Sequence, residues 1–264
     1  MSYQTLLFEI TDGIATITLN RPQVFNALDL AMARELMDVS IRCDEDAAIR
    51  CVVLTGAGDK AFCAGGDLRS FKADPRGLPS IVKEVTVYLH AAVSRFSRMN
   101  APFIGAINGV AAGAGLSLAA SVDIAIAADT ARFVSAYTAA GLSPDGSSTY
   151  FMPRLIGLRR YMEFAMTNRS LSAQEAAEWG IVNKVVPADA LLQEATALAR
   201  QLADGPTGAY GRLKQLAHNS FAETLESQME LEARLVADCV RGADAREGIE
   251  AFLSKRKPVF TGGL

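Results

Sequence analysis

Apolar and polar residues in the first part of the chain alternate in the pattern of a sheet followed by helices. In FEITDGIATITLN, residues 8–20, two β-rich runs flank Asp12 and Gly13, which predicts a hairpin. Apolar residues then recur at helical spacing over residues 31–46, and the apolar run CVVLTG after them has the composition of a buried strand. The chain is therefore predicted to begin as a sheet and to continue as an α/β fold.

The middle of the chain repeats strands and helices. The pattern predicts a long amphipathic helix over residues 80–99 and strands in FIGAING, VDIAIAA and RFVSA. A strand, a glycine-rich turn and a helix follow one another twice, at AFCAGGDL and at GVAAGAGL. The stretch 101–128 is long and nearly uncharged, but it is rich in Gly and Ala and contains Pro102 and Asp123. We therefore expect it to be buried in the fold and not to cross a membrane.

The last third of the chain is predicted to be helical. From Ser172, which begins the capping box S-A-Q-E, helices extend to Lys257, interrupted by the short run IVNKVV and a turn at Gly205-Pro206. We expect a core over residues 1–198 and a helical segment over 199–264 that covers the core or contacts a neighbouring subunit.

Composition excludes several classes of function. Half of the 264 residues are apolar, and the net charge of −3 leaves no basic face for nucleic acid. The four cysteines form no CxxC pair, which favours a reducing compartment, and no His, Asp and Glu cluster has metal-ligand spacing, so no metal is predicted. The start, MSYQTLLFEITDG, has no basic segment followed by an apolar one, so we expect no signal peptide and a cytoplasmic protein.

The two glycine-rich turns are the candidates for chemistry. Small residues there allow the backbone to approach a ligand, and the first N–H groups of each following helix have no intrahelical partner. Two such groups on one oxygen form an oxyanion hole. The alternative is that the glycines only permit tight packing of strand and helix. A dinucleotide site is excluded, because Gly56 and Gly58 are followed by a second glycine pair, Gly65-Gly66, where a helix should begin.

Asp145, between Pro144 and Gly146, has two interpretations. It is either the N-cap of a helix over residues 146–156 or the acid–base group of the protein. Asp67 is expected to cap the helix that starts at Leu68. Cys63 is expected to be a small buried residue, and both His90 and His218 to be surface or packed histidines.

Five motifs in order carry a resemblance to a known family: NRPQVFNALD, KAFCAGGDL, INGVAAGAGLSLAASVDIAIA, GLSPDGSSTYFMPRLIG and LSAQEAAEWGIVNKVV. Together they resemble the enoyl-CoA hydratase/isomerase, or crotonase, family over almost the whole chain. The resemblance implies a spiral of repeated ββα units with a helical C-terminal segment used in trimer contacts. It also implies an acyl-CoA thioester as ligand, no cofactor apart from the coenzyme A of the substrate, and an oxyanion hole formed by the N–H groups of Gly66 and Ala114.

The departures from the family pattern bear on the activity. Hydratases of the family use two glutamates to activate water, and Ser117 and Tyr137 occupy those positions here, so hydration of a 2-enoyl-CoA should be weak. Asp145 falls where isomerases and a dehalogenase branch carry a catalytic carboxylate. The resemblance thus implies an isomerase with Asp145 as the catalytic residue, most similar to the 1,2-epoxyphenylacetyl-CoA isomerases of phenylacetate degradation.

Further substrate contacts and alternative functions also follow from the resemblance. Basic groups near Arg21 and Lys257 could meet the phosphates of coenzyme A, although solvated basic residues explain them almost as well. The substrate-binding residues implied are Ala64, Asp67, Leu68, Arg21, Tyr137 and Lys257. The alternatives left open are a hydratase of fatty or aromatic acid degradation, an enzyme that dehalogenates or hydrolyses the thioester, and a catalytically silent acyl-CoA binding protein. A homo-oligomer is expected, either a trimer or a dimer of trimers.

Overall fold

Strands and short helices alternate before a helical C-terminal part in the computed structural model, which describes residues 3–263. The strands are β1 (Leu6–Thr11), β2 (Ile14–Leu19), β3 (Cys51–Gly56), β4 (Ala61–Cys63), β5 (Phe103–Ile107), β6 (Val110–Ala112), β7 (Ile124–Ala128), β8 (Arg132–Val134), β9 (Leu171–Ser172) and β10 (Lys184–Val186). The helices are α1 (Leu30–Glu45), α2 (Leu68–Ala73), α3 (Leu78–Arg98), α4 (Ala114–Ala120), α5 (Ser148–Ile156), α6 (Leu158–Thr167), α7 (Ala173–Trp179), α8 (Leu191–Ala203), α9 (Thr207–Asn219), α10 (Leu225–Arg241) and α11 (Ala243–Leu253). The predicted helices over 31–46 and 80–99 match α1 and α3 within two residues.

Two sheets build the core of the fold. The larger has the strand order β1-β2-β3-β5-β7-β10, and the smaller has the order β4-β6-β8-β9. The predicted hairpin at Asp12-Gly13 is confirmed, because β1 and β2 pair antiparallel with Thr11 opposite Ile14. The other neighbours in the large sheet are parallel.

Consecutive strands from β3 to β8 alternate between the two sheets. Each of the pairs β3–β4, β5–β6 and β7–β8 gives its first strand to the large sheet and its second strand to the small one. A helix follows each pair before the next pair begins. This repetition of two strands and a helix winds the chain into a spiral, and it is the ββα architecture that the resemblance implies.

Both faces of the large sheet are buried at its inner strand β3. Along β3, Val52 and Leu54 face the main core, whereas Cys51 and Val53 face a second apolar cluster, as the two-residue period of a strand requires. Helix α8 covers that second cluster with buried small residues on one face, namely Ala195, Ala199 and Ala203. The domain boundary expected between residues 198 and 199 therefore lies inside a continuous helix that packs on the sheet.

Buried polar contacts attach α9 to the sheet core. The Lys214 ammonium is 2.8 Å from the Asp123 carboxylate and donates to the carbonyl oxygens of Phe96 and Ala101. Only 8% of the Lys214 side chain is exposed. Arg50, just before β3, donates to the Gly205 carbonyl at 2.6 Å. These contacts fix the start of the helical segment relative to the core.

The long apolar stretch 101–128 folds into β5, β6, α4 and β7. Most of its residues are buried within the two sheets and the helix between them. Across residues 3–263, no helix is both long enough and apolar enough to cross a membrane.

Candidate active site

The candidate site lies at the carboxyl ends of three neighbouring strands. Strands β4, β6 and β8 are parallel neighbours in the small sheet. The chain segments that leave them therefore emerge at the same edge of the sheet, where open α/β sheets commonly bind ligands. These segments are the two glycine-rich turns, residues 64–67 and 113–114, and the turn at residues 135–137.

The N–H groups of Gly66 and Ala114 have no hydrogen-bond acceptor among residues 3–263. The neighbouring N–H groups are engaged, since Asp67 donates to Leu28 and Gly113 donates to Val134. Ala114 has a negative φ, as a non-glycine residue at that position requires. Both free donors border the same cavity. Two such donors are able to bind one ligand oxygen.

Close packing of the two glycine turns explains why small residues are required there. A Cβ atom on Gly115 would lie 2.0 Å from the Cys63 carbonyl oxygen, so α4 begins directly against β4. A Cβ atom on Gly65 would lie 2.9 Å from the Ala112 carbonyl oxygen. Tight packing of the two turns therefore also brings the two free donors to one cavity, so the packing explanation does not exclude the ligand explanation.

The cavity has a volume of about 570 Å³ and a largely apolar wall. Helices α2 and α3 and the segment after β8 supply its apolar side chains, among them Leu68, Phe71, Val82, Val85, Leu89 and Leu142. Asp145 is the one carboxylate among the described residues that line it, and Lys83 is the one cation. The predicted residues Ala64, Leu68 and Tyr137 line this cavity with Gly66, Ala114 and Asp145.

Asp145 does not cap the following helix. Helix α5 begins at Ser148, not at Gly146, and its N-cap is Ser147 with no side-chain cap. The reason is local geometry, because Gly146 and Ser147 have left-handed φ values of 59° and 77° and delay the helix. The backbone carbonyl of Asp145 accepts from the Ser148 N–H at 3.2 Å. Its carboxylate therefore does not have the capping role that was one of its two interpretations.

The Asp145 carboxylate is held by Tyr137. The Tyr137 hydroxyl donates to Asp145 Oδ1 at 2.5 Å, and Ser117 Oγ lies 3.2 Å from that hydroxyl. Ser117 also donates to the Asp145 carbonyl oxygen at 2.8 Å. Burial raises the pKa of Tyr137 strongly, and the charge of Asp145 and the hydrogen bond to it raise it further. Tyr137 therefore stays protonated and acts as a donor.

His90 supports the other side of the Asp145 loop, which we define as residues 143–147. The Nε2 atom of His90 accepts a hydrogen bond from the Gly146 N–H at 3.2 Å. Local sequence patterns carry no signal for this contact, because it joins α3 to a turn 56 residues later. His218 packs edge-on against Phe151, with 5.9 Å between the ring centroids, as expected of a packed histidine.

A second cavity lies behind the Asp145 loop. It has a volume of about 690 Å³ and is lined by parts of α3, α5 and α9, including His90, Arg98 and Arg212. None of the predicted site residues lines it, and neither does any free N–H group of the glycine turns. The smaller cavity is therefore the candidate active site, since it brings donors and carboxylate together.

Three predicted substrate-binding residues lie outside the wall of the candidate site. The Arg21 guanidinium is 2.9 Å from Asp67 and 3.2 Å from Asp29, so both carboxylates already share its charge. Asp67 caps α2 by accepting from the Ser70 N–H, as predicted. Burial would raise the pKa of Asp67, but the hydrogen bonds from Ser70 and Arg21 outweigh it and lower the pKa. Lys257 is exposed beyond the end of α11.

Cys63, at the end of β4, is a buried free cysteine. Burial raises the pKa of the Cys63 thiol to about 11, which makes it a poor nucleophile at neutral pH.

Within the part of the chain that the structure describes, no group of three or more His, Cys, Asp or Glu side chains is arranged to hold a metal ion.

Known proteins resemble this chain over nearly its full length. The sequence model of the Enoyl-CoA hydratase/isomerase family matches residues 9–263. The 1,2-epoxyphenylacetyl-CoA isomerase of Escherichia coli is 42% identical over 258 residues, which are 97% of this chain and 98% of that protein. A Rhodobacter capsulatus protein named "Probable enoyl-CoA hydratase" is 41% identical over 262 residues, 99% of this chain and 100% of the relative.

A solved structure shows the same architecture. The crystal structure of an enoyl-CoA hydratase from Bacillus anthracis superposes with a TM-score of 0.92 at 33% identity, covering 98% of this chain and 100% of that chain. The predicted spiral of ββα units with a helical C-terminal segment is thereby confirmed as the crotonase fold. Given a family model that spans almost all of the sequence, the chain belongs to the enoyl-CoA hydratase/isomerase family.

Proposed function

We propose that this protein is an acyl-CoA isomerase that moves a double bond in an enoyl-CoA thioester, with Asp145 as the catalytic residue. The observation that carries the proposal is the arrangement of the cavity. Asp145 is the single carboxylate on its described wall, and it faces the same space as the free N–H groups of Gly66 and Ala114.

The proposed reaction is a proton shuttle. The Gly66 and Ala114 N–H groups bind the thioester carbonyl oxygen and stabilise the negative charge that forms there when a proton leaves. Asp145 removes a proton from C2 of a 3-enoyl-CoA, which gives a dienolate, and returns it to C4. The double bond moves from the 3,4 to the 2,3 position. No atom is gained or lost, so one carboxylate suffices.

Hydration is the alternative that the site supports less well. Ser117 and Tyr137 stand where hydratases of the family have glutamates, and neither side chain is a base at neutral pH. The hydroxyl of Tyr137 is already committed to Asp145. A single free carboxylate lacks the second group that positions and activates water. A silent binding protein is supported still less, because a binding site needs no carboxylate aimed at the acyl group.

For the substrate, we propose an acyl-CoA with an aromatic or similarly bulky acyl group. The E. coli relative at 42% identity is named for 1,2-epoxyphenylacetyl-CoA, which makes ring-1,2-epoxyphenylacetyl-CoA and phenylacetate catabolism the first candidates. The cavity of about 570 Å³ and its apolar wall are of the size and polarity that such a group requires. Fatty enoyl-CoA substrates are the second candidates.

We also propose that the chain forms a homo-oligomer, a trimer or a dimer of trimers, through its last helices. Large apolar side chains are exposed on α10 and α11, namely Leu225, Met229, Val236, Val240, Ile249, Phe252 and Leu253. Many exposed large apolar side chains on neighbouring helices are typical of a protein interface. Light scattering coupled to gel filtration should give a mass about three or six times that of one chain.

The function is tested by product analysis with a panel of acyl-CoA thioesters. The purified protein is incubated separately with 3-enoyl-CoA, 2-enoyl-CoA and ring-1,2-epoxyphenylacetyl-CoA, and products are identified by mass spectrometry and NMR. An isomer of unchanged mass supports the proposal. A product 18 mass units heavier from 2-enoyl-CoA identifies a hydratase and contradicts it. Tight binding of every thioester without any product would indicate a binding protein.

A further inference from the structure

Three side chains from separate parts of the chain meet beside the candidate cavity. Ser117 comes from α4, Tyr137 from the turn after β8, and Asp145 from its own loop. Tyr137 donates to Asp145 Oδ1 at 2.5 Å, and Ser117 donates to the Asp145 carbonyl at 2.8 Å. No described residue donates a hydrogen bond to Asp145 Oδ2. The two carboxylate oxygens therefore have different surroundings.

We propose that Tyr137, supported by Ser117, is a positioning residue that fixes the Asp145 carboxylate with Oδ1 held and Oδ2 left to carry the proton. This inference rests on the proposed function. It goes beyond the loss of the hydratase glutamates, because it assigns a new task to the two residues that replace them.

The proton inventory supports this assignment. Each hydroxyl has one proton to donate. Tyr137 donates its proton to the Asp145 carboxylate, and Ser117 donates its proton to the Asp145 backbone carbonyl. Charge-assisted hydrogen bonds of this kind are shorter and stronger than neutral ones. The carboxylate is thus restrained at one oxygen by a rigid aromatic side chain, and its backbone is restrained by a fully buried serine.

Steric contacts show that the arrangement depends on the small size of residue 117. A Cβ atom on Gly146 would lie 2.9 Å from the Ser117 Cβ atom, so the Asp145 loop packs directly on Ser117. A longer side chain at position 117 would push the loop away. Ser117 stands in place of one hydratase glutamate, and its small side chain also lets the Asp145 loop pack against α4.

Restraint of Asp145 has a measurable chemical consequence. Return of the proton to the other carbon competes with its exchange with solvent. A carboxylic acid that is held in place returns a larger share of its protons before they exchange than one that is free to rotate. In deuterated water, the fraction of product that carries no deuterium at the newly protonated carbon therefore reports how firmly Asp145 is held. A general loss of folding or binding would not change this fraction.

The test compares Tyr137→Phe with the unaltered protein and with Tyr161→Phe. Tyr161 is a matched control, because its buried hydroxyl has no hydrogen-bond partner among the described residues. For Tyr137→Phe we expect kcat to fall by about tenfold or more with little change in KM, and the undeuterated product fraction to fall. Ser117→Ala should show the same changes in weaker form, and Tyr161→Phe should show neither. Unchanged kcat and an unchanged product fraction in Tyr137→Phe would overturn the proposal.

A crystal structure of Tyr137→Phe separates this inference from the proposed function. Rotation of the Asp145 carboxylate, or several conformers of it, would support the positioning role even if the protein isomerises no thioester. An Asp145 carboxylate unmoved from its place in the unaltered protein would overturn it, whatever the substrate. An inactive unaltered protein with a displaced carboxylate in the variant would reject the function alone.

Discussion

The Tyr137 hydroxyl donates a 2.5 Å hydrogen bond to the Asp145 carboxylate, in the loop just before α5. The tyrosine stands at a position where the resemblance implies a glutamate in the hydratases of the family. The aspartate stands in a loop that two left-handed residues hold away from a helical conformation. Asp145 is therefore the single carboxylate on the described wall of a largely apolar cavity, and Tyr137 holds it there.

Restoring a hydratase glutamate should damage this site and should not create a hydratase. Because the Asp145 loop packs on Ser117, the Ser117→Glu side chain has no space and must displace the loop. We expect isomerase turnover to fall at least about 100-fold, since small misplacements of reacting groups have effects of this size. The measurement is turnover of 3-enoyl-CoA and 2-enoyl-CoA by the variant, with Ser117→Ala as control. Efficient hydration by Ser117→Glu would contradict our description of the site.

The sequence was sufficient to predict the parts of the site that lie in local motifs. The hairpin, the two glycine turns, the Asp67 cap and the capping box at Ser172 depend on residues within a few positions of one another. The Tyr137–Asp145 and His90–Gly146 contacts depend on tertiary packing, and local sequence patterns do not predict them. The alternative interpretation of Asp145 as the N-cap of a helix is wrong for a related reason. Proline, aspartate and glycine usually start a helix, but here positive φ angles at Gly146 and Ser147 delay it.

Three of the four cysteines should resist alkylation in the native protein. Burial raises the pKa of Cys43 and Cys51 to about 12 and that of Cys63 to about 11, so their thiols stay protonated as the pH rises from 7 to 9. Cys239 is less buried and should react first. The measurement is iodoacetamide labelling at pH 7, 8 and 9 with peptide mapping. Fast labelling of Cys63 at pH 7 would show a reactive thiolate, contrary to its assigned structural role.

Removing the buried Lys214 ammonium should loosen the helical segment from the core. Lys214→Ala leaves Asp123 without its cation and two carbonyl oxygens without their donor. We expect the free energy of unfolding to fall by about 3 kcal/mol, the scale for breaking one partner of a buried ion pair. The measurement is the midpoint of urea unfolding followed by circular dichroism.

Lys184→Ala is the control for this experiment. Lys184 pairs with Glu194 at 2.7 Å, but the two side chains are 54% and 43% exposed. Exposed pairs contribute less than about 1 kcal/mol, so this variant should unfold close to the midpoint of the unaltered protein. Equal midpoints for the Lys214 and Lys184 variants would contradict the anchoring role of Lys214.

In the proposed reaction Asp145 moves the proton, and replacing its carboxylate by an amide removes that ability. The unaltered protein, Asp145→Asn and the exposed-site control Asp189→Asn are incubated with 3-enoyl-CoA in deuterated water, and double-bond position and deuterium content are followed by mass spectrometry and NMR. We expect Asp145→Asn to slow migration and deuterium entry at least about 100-fold while thioester binding is retained, and Asp189→Asn to change neither rate. Migration in Asp145→Asn at a rate within about threefold of the unaltered protein would contradict this role of Asp145.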